Sequence, residues 1–331
     1  MKLRTSHYVI LTFLVAFTYF YSRDGLVATS VLYTAIQFSI PLALAAMVGV
    51  MCERTGVVNI GIEGTMLISA FTAFFAGAIL QDTVRGMFVG VFTGAMMGLL
   101  LALMAVNWKM DQIIAGVILN ILAAGITSFY YRQNYSIPST LNPIDLPVVG
   151  AWPILGPVLS FHGPITYFGI LFILALWFGL YKTSWGLRSR AVGEHPSSAD
   201  TAGVSVTKLR YINVTIAGAV GGLAGSYLAL EAVGIFERGF TAGKGFTALA
   251  IMIFGRWNPL GAFAAALFFG LTQAVTNQLM IDEVVEIPPQ FINMLPYILT
   301  ILVLAISAGK VRPPAAEGIP YEKEKLSLIH I

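Results

Sequence analysis

The sequence predicts an all-α membrane protein with about ten transmembrane helices. Of its 331 residues, 57% are hydrophobic and only 11% are charged, whereas soluble domains carry about 25% charged residues. So few charges cannot cover a water-facing surface, and the outer solvent of this chain is therefore lipid. The apolar runs are long enough for about ten crossings at roughly 20 residues each. The predicted spans cover residues 7–22, 27–51, 57–80, 84–106, 112–131, 164–182, 211–231, 240–255, 259–280 and 290–309.

The distribution of basic residues predicts how these spans are oriented. Lys and Arg are enriched in cytoplasmic loops. An even number of spans puts both termini on one side, and that side then holds 14 of the 19 Lys and Arg residues, leaving 5 outside. We therefore expect cytosolic termini, a transmembrane domain at 1–309 and a polar, flexible cytosolic tail at 310–331. The net charge of +3 offers no basic patch for a nucleic-acid partner.

Two spans open with glycine-rich segments that are poor material for a lipid-facing helix. The segment 56–64 combines three glycines with an Asn and a Glu, and the segment 239–247 combines glycines with hydroxyl residues. Such backbone is tolerated at membrane depth where protein shelters it or where it lines a cavity. The two segments fall on the second span of two sets, 27–131 and 211–309, which the predicted topology relates as inverted repeats. Paired interruptions at matching positions indicate a transport pathway.

The segment 183–210 is the one long polar run between two spans. Its centre, 196–203, predicts a short helix, because Pro196 suits the first turn, Ser197 or Ser198 can cap it and Gly203 can end it. A short polar helix has no lipid to face. It must lie on the membrane surface and meet a partner in the cytosol.

Small residues predict where two spans pack closely. Gly86, Gly90, Gly94 and Gly98 recur every fourth residue and form a ridge on one helical face. A second group of glycines lies in the span 211–231. Such ridges allow two membrane helices to approach each other closely.

Four blocks of the sequence carry a resemblance to a known family. They are 53–64 (ERTGVVNIGIEG), 186–194 (GLRSRAVGE) with 199–203 (ADTAG), 243–250 (GKGFTALA) and 255–261 (GRWNPLG). In this order and spacing they resemble the permease subunits of bacterial ABC importers for ribose, other simple sugars, nucleosides and branched-chain amino acids. The nucleoside and simple-sugar branch is the most similar. The resemblance covers about residues 30–309.

That resemblance implies a type II ABC importer-like fold in a bacterial plasma membrane. It implies three partners: an ATPase subunit, a second and different permease chain, and an extracellular substrate-binding lipoprotein or periplasmic protein. It also implies that 183–210 contains the coupling helix that docks on the ATPase. For Arg188 and Arg190, contact with the ATPase and anchoring to anionic lipid headgroups are equal alternatives. The coupling candidates are Arg188, Arg190, Glu194, Pro196, Ala199, Asp200 and Gly203.

Five residues are candidates for the substrate pathway because they place polar or aromatic side chains in predicted spans: Asn59, Glu63, Asn120, Phe246 and Thr247. For Glu63 two interpretations stay open. The carboxylate could accept hydrogen bonds from ribose hydroxyls in a cavity, or it could serve structurally, bound to a helix end or to Arg54. An aromatic ring beside hydroxyl and amide groups suits a nucleoside, but it is equally typical of ordinary packing.

The chain carries no recognisable energy source of its own. The run 239–244 (GFTAGK) lacks the spacing of a phosphate-binding loop and the hydroxyl residue that follows its Lys. We therefore assign ATP to the partner subunit and no cofactor, metal or catalytic residue to this chain. A proton-coupled secondary transporter using Glu63 is the alternative function, and a membrane-embedded enzyme is a third. The lack of a second intramembrane acid and of a catalytic cluster disfavours both.

Overall fold

The structure, a computed structural model, describes residues 25–150, 155–281 and 312–323, together with Thr18, Met294 and Ile298. The predicted spans 7–22 and 290–309 lie almost wholly outside these residues. The long helices are α1 (Gly25–Glu53), α2 (Ile62–Leu80), α3 (Thr83–Ala102, continued by a π-helical turn Leu103–Asn107), α4 (Gln112–Tyr130), α7 (Pro164–Lys182), α10 (Val206–Ser226, continued by a π-helical turn Tyr227–Ala232) and α12 (Pro259–Ile281). The shorter helices are α5 (Pro147–Gly150), α6 (Leu155–Leu159), α8 (Ser184–Glu194), α9 (Pro196–Thr201) and α11 (Lys244–Phe254).

Seven helices of the described chain are long and apolar enough to cross a membrane. They confirm seven of the predicted spans, with α7 at the predicted bounds and α10 beginning earlier than predicted. The predicted span 240–255 is wrong as a full crossing, because α11 has only 11 residues. At 1.5 Å per residue it is about 16 Å long, roughly half of a 30 Å hydrocarbon core.

Glycines set the distance between α3 and α10. A Cβ on Gly94 would lie 2.4 Å from the carbonyl oxygen of Gly218, and one on Gly218 would lie 2.3 Å from that of Gly94. Gly222 approaches Gly90 in the same way, with 2.6 Å from its Cβ position to the Gly90 carbonyl oxygen. The predicted glycine ridge is therefore confirmed as a close helix contact.

Helix α1 is the core of the bundle. Almost every residue in its second half is buried, and α10, α11 and α12 pack against it. Gly270 of α12 leaves no room for a side chain, since its Cβ would lie 2.4 Å from the carbonyl oxygen of Ala35. The buried Tyr227 donates its hydroxyl proton to the carbonyl oxygen of Gln37 at 3.0 Å.

The proline-rich connection between α4 and α7 is irregular, as its sequence predicts. It holds α5, α6 and a two-residue antiparallel pair, β1 (Ile144–Asp145) with β2 (Phe161–His162). Glu231 ties this connection to α10 by accepting hydrogen bonds from the backbone N–H groups of Ile165 (2.7 Å) and Thr166 (3.2 Å) at the start of α7. The expectation that no second acid lies in a span is wrong, because Glu231 lies in the span Val206–Ala232.

The polar segment 183–210 contains the predicted short helix as α9, together with α8 before it and the start of α10 after it. Helix α9 begins at Pro196 as predicted, and Gly203 follows it with φ +83°. The predicted Ser cap is wrong, because His195 occupies the N-cap position and makes no side-chain cap hydrogen bond. Helix α8 precedes α9 and is capped by Thr183, whose hydroxyl oxygen accepts from the Gly186 N–H at 3.3 Å.

Residues 312–323 of the tail pack against the same end of the bundle as α8 and α9. The Ala316 N–H donates to the Gly193 carbonyl oxygen at 2.9 Å, and Arg210 donates to the Ile319 carbonyl oxygen at 3.1 Å. The expectation of a flexible tail is therefore wrong for these residues.

Candidate transport site

The entry to α2 is non-helical backbone inside the bundle, and α4 satisfies its polar groups. Residues 57–60 have no regular secondary structure. The Val58 N–H donates to the side-chain oxygen of Gln112 at 2.7 Å. Asn120 accepts from the Gly64 N–H at 2.7 Å and donates to the Ile60 carbonyl oxygen at 3.1 Å. These bonds replace the missing helical ones, which buried backbone requires.

Glycine lets α4 come this close to the entry. A Cβ on Gly64 would lie 2.7 Å from the Cα of Asn120. A Cβ on Gly116 of α4 would lie 2.8 Å from the backbone nitrogen of Gly61. Any side chain at these positions would separate the amide of Asn120 from its two backbone partners.

Glu63 caps the N-terminus of α11. Its carboxylate accepts hydrogen bonds from the Thr241 hydroxyl at 2.6 Å, the Gly243 N–H at 2.8 Å and the Gly245 N–H at 2.6 Å. The first N–H groups of a helix have no partner within it and carry partial positive charge, so a carboxylate is stabilising there. The turn before α11 is tight, with φ +46° at Ala242 and +81° at Gly243.

The two interrupted segments therefore meet at the N-termini of α2 and α11. The lengths of α4 and α11 show how deep in the bundle this junction lies. Gln112 begins α4, and Asn120 lies about 12 Å further along the helix at 1.5 Å per residue. The C-terminus of α11 lies at the same end of the bundle, and its N-terminus, about 16 Å away, lies at Glu63. Both lengths are close to half of a 30 Å hydrocarbon core. The junction thus lies near the middle of the membrane.

Of the two structural roles considered for Glu63, the structure shows the hydrogen bonds to a helix end. Arg54 is engaged elsewhere. It donates to the Trp257 carbonyl oxygen at 2.9 Å and to the Arg256 carbonyl oxygen at 3.3 Å. Among the described residues it forms no ion pair with Glu63.

The other pathway candidates lie on different sides of this junction. Phe246 and Thr247 follow Gly245 on α11; the Phe246 side chain is 49% exposed, and Thr247 donates to the Gly243 carbonyl oxygen at 3.2 Å. Asn59 is only 2% exposed and donates to the Cys52 sulfur at 3.6 Å. Its side-chain oxygen has no hydrogen-bond partner in the described chain.

Lys244, which was not among the predicted pathway residues, is partly buried at the start of α11. Its ammonium group donates to the Thr241 carbonyl oxygen at 3.5 Å. The signal was present in the sequence, because a Lys inside a predicted span is costly and therefore indicates a functional site. The ammonium group lies in the same junction as the Glu63 carboxylate.

The coupling candidates lie on α8 and α9 or directly after α9. Ala199 of α9 is 5% exposed and packs with Val192 and Val206. Arg190 lies over the Tyr181 ring, 5.0 Å from its centroid, whereas the Arg188 side chain is exposed. Three further candidates have these settings: Glu194 accepts from the Ala315 N–H at 3.2 Å, Asp200 lies 3.7 Å from the Lys323 ammonium nitrogen, and Pro196 is partly buried.

Comparison with known proteins identifies the family of this chain. Residues 30–304 match the family described as "Branched-chain amino acid transport system / permease component". The chain belongs to this permease family. The match includes the coupling region and both interrupted segments. No solved structure matches the chain significantly.

Individual relatives agree with the family. The chain is 40% identical over 306 residues to the guanosine ABC transporter permease NupQ of Bacillus subtilis, covering 88% of this chain and 95% of the relative. It is 36% identical to the nucleoside ABC transporter permease NupC of Lactococcus lactis, covering 87% of this chain and 95% of the relative. It is 32% identical to the putative glucose ABC transporter permease TsgC13 of Haloferax volcanii, covering 84% and 91%. The protein is a multi-pass permease subunit of the ABC-transporter type.

More distant permeases from the same organisms also match. The guanosine ABC transporter permease NupP of Bacillus subtilis is 26% identical over 70% of this chain and 69% of its own length. The nucleoside ABC transporter permease NupB of Lactococcus lactis is 24% identical over 84% of this chain and 80% of its own length. In Bacillus subtilis and in Lactococcus lactis, the chain therefore matches a more similar permease and a more divergent one.

Proposed function

We propose that this chain is the membrane permease of an ATP-driven importer for nucleosides or related simple sugars. The observation that carries the substrate class is the near full-length similarity to permeases named for guanosine and for nucleosides. The glucose permease among the relatives keeps simple sugars within the class.

The substrate pathway in this proposal passes the junction of α2, α4 and α11. Glu63, Asn120 and Thr247 supply polar groups near the middle of the membrane, and Phe246 supplies an exposed ring. A ribose offers hydroxyl groups to the former, and a base offers a flat face to the latter. Asn59 contributes a buried amide oxygen without a described partner at the cytosolic end of the entry.

The segment 183–210 couples ATP hydrolysis to transport along this pathway. In the proposal α9 docks on a separate ATPase subunit, and the seven coupling candidates either contact that subunit or hold α9 in place. Arg188 is exposed and suited to contact, whereas Ala199 and Arg190 pack inward and hold the segment. ATP is used by the partner, and this chain needs no cofactor of its own.

The proposed assembly follows the family. The protein lies in a bacterial plasma membrane, with two inverted repeats (27–131 and 211–309) and both termini cytosolic. A second, different permease chain completes it, and the pairs NupQ with NupP and NupC with NupB support this. An extracellular substrate-binding protein delivers the substrate, and no nucleic acid takes part.

The geometry at Glu63 speaks against a proton-coupled transporter. A proton carrier must release and rebind its proton during transport. The Glu63 carboxylate instead accepts three hydrogen bonds from donors at the α11 N-terminus, which supports a structural role in joining α2 to α11.

Reconstitution tests the proposal. The chain is assembled in liposomes with its ATPase, the second permease and the binding protein, and uptake of labelled guanosine is measured with competing adenosine, cytidine, ribose and glucose. We expect uptake that requires ATP and is competed by nucleosides. Uptake that persists without ATP and collapses with the proton gradient would overturn the proposal.

A further inference from the structure

We propose that residues 312–323, the tail segment, are a positioning element that transmits movement of the coupling helix α9 to the interrupted entry of α2. The inference rests on the proposed ATP-driven function and adds a part to it. The tail segment contacts both regions and adds to their direct contact, in which a Cβ on Gly193 of α8 would lie 2.3 Å from the Arg54 carbonyl oxygen.

On one side the tail segment is bound to the coupling region. The Ala316 N–H donates to the Gly193 carbonyl oxygen at 2.9 Å, and the Ala315 N–H donates to the Glu194 carboxylate at 3.2 Å. Tyr321 packs against the small apolar cluster of Val192, Ala199 and Val206. This cluster joins α8, α9 and the start of α10, so the tail segment follows α9 when α9 moves.

On the other side the tail segment is bound to the turn between α1 and α2. The Gly318 N–H donates to the Gly56 carbonyl oxygen at 3.3 Å. Gly56 adopts φ +80°, and a Cβ there would lie 2.9 Å from the Ala316 carbonyl oxygen. Arg210, which is 1% exposed, donates to the carbonyl oxygens of Thr55 at 3.0 Å and Ile319 at 3.1 Å.

The buried contacts matter more than the exposed ion pairs. Lys323 pairs with Asp200 at 3.7 Å through side chains that are 77% and 23% exposed, and Lys109 pairs with Glu322 at the surface. Exposed pairs contribute little because water and salt screen them. The connection therefore depends on the backbone hydrogen bonds and on the packing of Tyr321.

The turn that the tail segment holds leads directly into the pathway. Gly56 begins the non-helical stretch that Gln112 and Asn120 hold against α4, and this stretch ends at Gly61, two residues before Glu63, which caps α11. A displacement of Gly56 therefore has a short covalent and hydrogen-bonded route to the junction in the middle of the membrane. Contiguous elements of this kind can carry coupling between distant sites.

Two truncations test the role. A stop after residue 311 removes the tail segment, and a stop after residue 323 keeps it. Each complete importer is reconstituted, and three quantities are measured: co-purification with the ATPase, ATP hydrolysis, and substrate imported per ATP hydrolysed. With the stop after 311 we expect the ATPase to remain bound and the import per ATP to fall by roughly fivefold or more, within the usual range of coupling between sites.

The stop after 323 should match the full chain. Unchanged import per ATP after the stop at 311 would overturn the inference, and so would an equal loss with both truncations. If the full-length assembly shows no ATP-dependent uptake at all, the proposed function fails instead, which separates the two results.

Tyr321→Ala decides the question if the shorter truncation does not accumulate in the membrane, with Arg312→Ala as its matched control in the same segment. We expect Tyr321→Ala to lower import per ATP while the ATPase still co-purifies. Equal import per ATP in Tyr321→Ala and Arg312→Ala would overturn the inference.

Discussion

The Glu63 carboxylate accepts a hydrogen bond from the Gly245 N–H at 2.6 Å, although the two residues are 182 positions apart in the chain. Each belongs to one of the two glycine-rich interruptions. A Cβ on Gly245 would lie 2.5 Å from the Cα of Glu63, so the two backbones are in direct contact. The contact joins the N-terminal ends of α2 and α11 in the middle of the membrane, where lipid offers no acceptor for their N–H groups.

We expect Glu63→Gln to weaken this junction. The amide keeps the shape of the side chain, but it replaces one acceptor oxygen by a donor that faces N–H groups. The loss of one hydrogen bond at this partly buried site should cost about 1–3 kcal/mol. Thermal unfolding of the purified protein in detergent measures the change, and Glu237→Gln on the exposed outer loop is the control. An unaltered midpoint in Glu63→Gln would contradict the capping role.

Asn120 should tolerate neither an acid nor an apolar replacement. Asn120→Asp keeps the acceptor for Gly64 but loses the donor to the Ile60 carbonyl oxygen, and Asn120→Leu loses both. We expect the free energy of unfolding to fall by about 1–3 kcal/mol for each backbone group left without its partner. The loss should therefore be larger for Asn120→Leu than for Asn120→Asp. Uptake and unfolding of both variants are compared with Gln133→Leu at the exposed end beyond α4. Equal stability of Asn120→Leu and the native protein would show that α4 does not hold the entry.

The glycine contact between α3 and α10 allows a matched pair of variants. Gly94→Ala places a methyl group 2.4 Å from the Gly218 carbonyl oxygen, whereas Gly125→Ala on α4 meets nothing within 4 Å. Overpacking should cost Gly94→Ala about 1–3 kcal/mol. Gly125→Ala should gain roughly 0.5–1 kcal/mol from its better helix propensity. Unfolding midpoints that shift in the same direction would contradict this account of the ridge.

The docking of the tail segment should depend on pH through Glu317. Burial raises the pKa of the Glu317 carboxyl above its ordinary range, and a hydrogen bond with Glu53 partly offsets this rise. Glu53 also accepts from the Trp257 indole N–H. Two carboxyl groups in contact are more stable when a proton lies between them. A raised pKa gives stability that is complete below the ordinary Glu pKa of about 4.3 and is lost as the pH rises through the raised value.

Hydrogen exchange of residues 312–323 measures this dependence. Glu317→Gln removes the titrating carboxyl group, so its protection should vary less with pH than that of the native protein. Glu322→Gln, at the exposed ion pair with Lys109, is the control. Identical pH profiles for native protein and Glu317→Gln would rule out a titrating contact.

The sequence predicts the helices well, because the signal for a membrane span is local. Seven apolar runs form long helices. The two interrupted segments begin with non-helical backbone, because their glycines are poor material for a lipid-facing helix. The partner of Glu63 was beyond prediction, since Gly243 and Gly245 lie far along the chain and bind through backbone N–H groups. The tail segment was missed for the same reason. Its holding contacts use the backbone of Ala316 and Gly318, which no side-chain pattern reveals.

The coupling helix offers a prediction that separates docking from folding. Ala199 is 5% exposed against Val192 and Val206, whereas Ala202, at the end of α9, is exposed. Ala199→Leu should therefore displace α9 and lower stability by about 1–3 kcal/mol, while Ala202→Leu alters only the surface that the ATPase would meet. We expect both variants to hydrolyse ATP with reduced import, and only Ala199→Leu to unfold at a lower temperature. ATPase co-purification, import per ATP and unfolding midpoint are measured together for each. Normal import per ATP in both variants would show that α9 is not the docking element, because one variant changes its position and the other its exposed face.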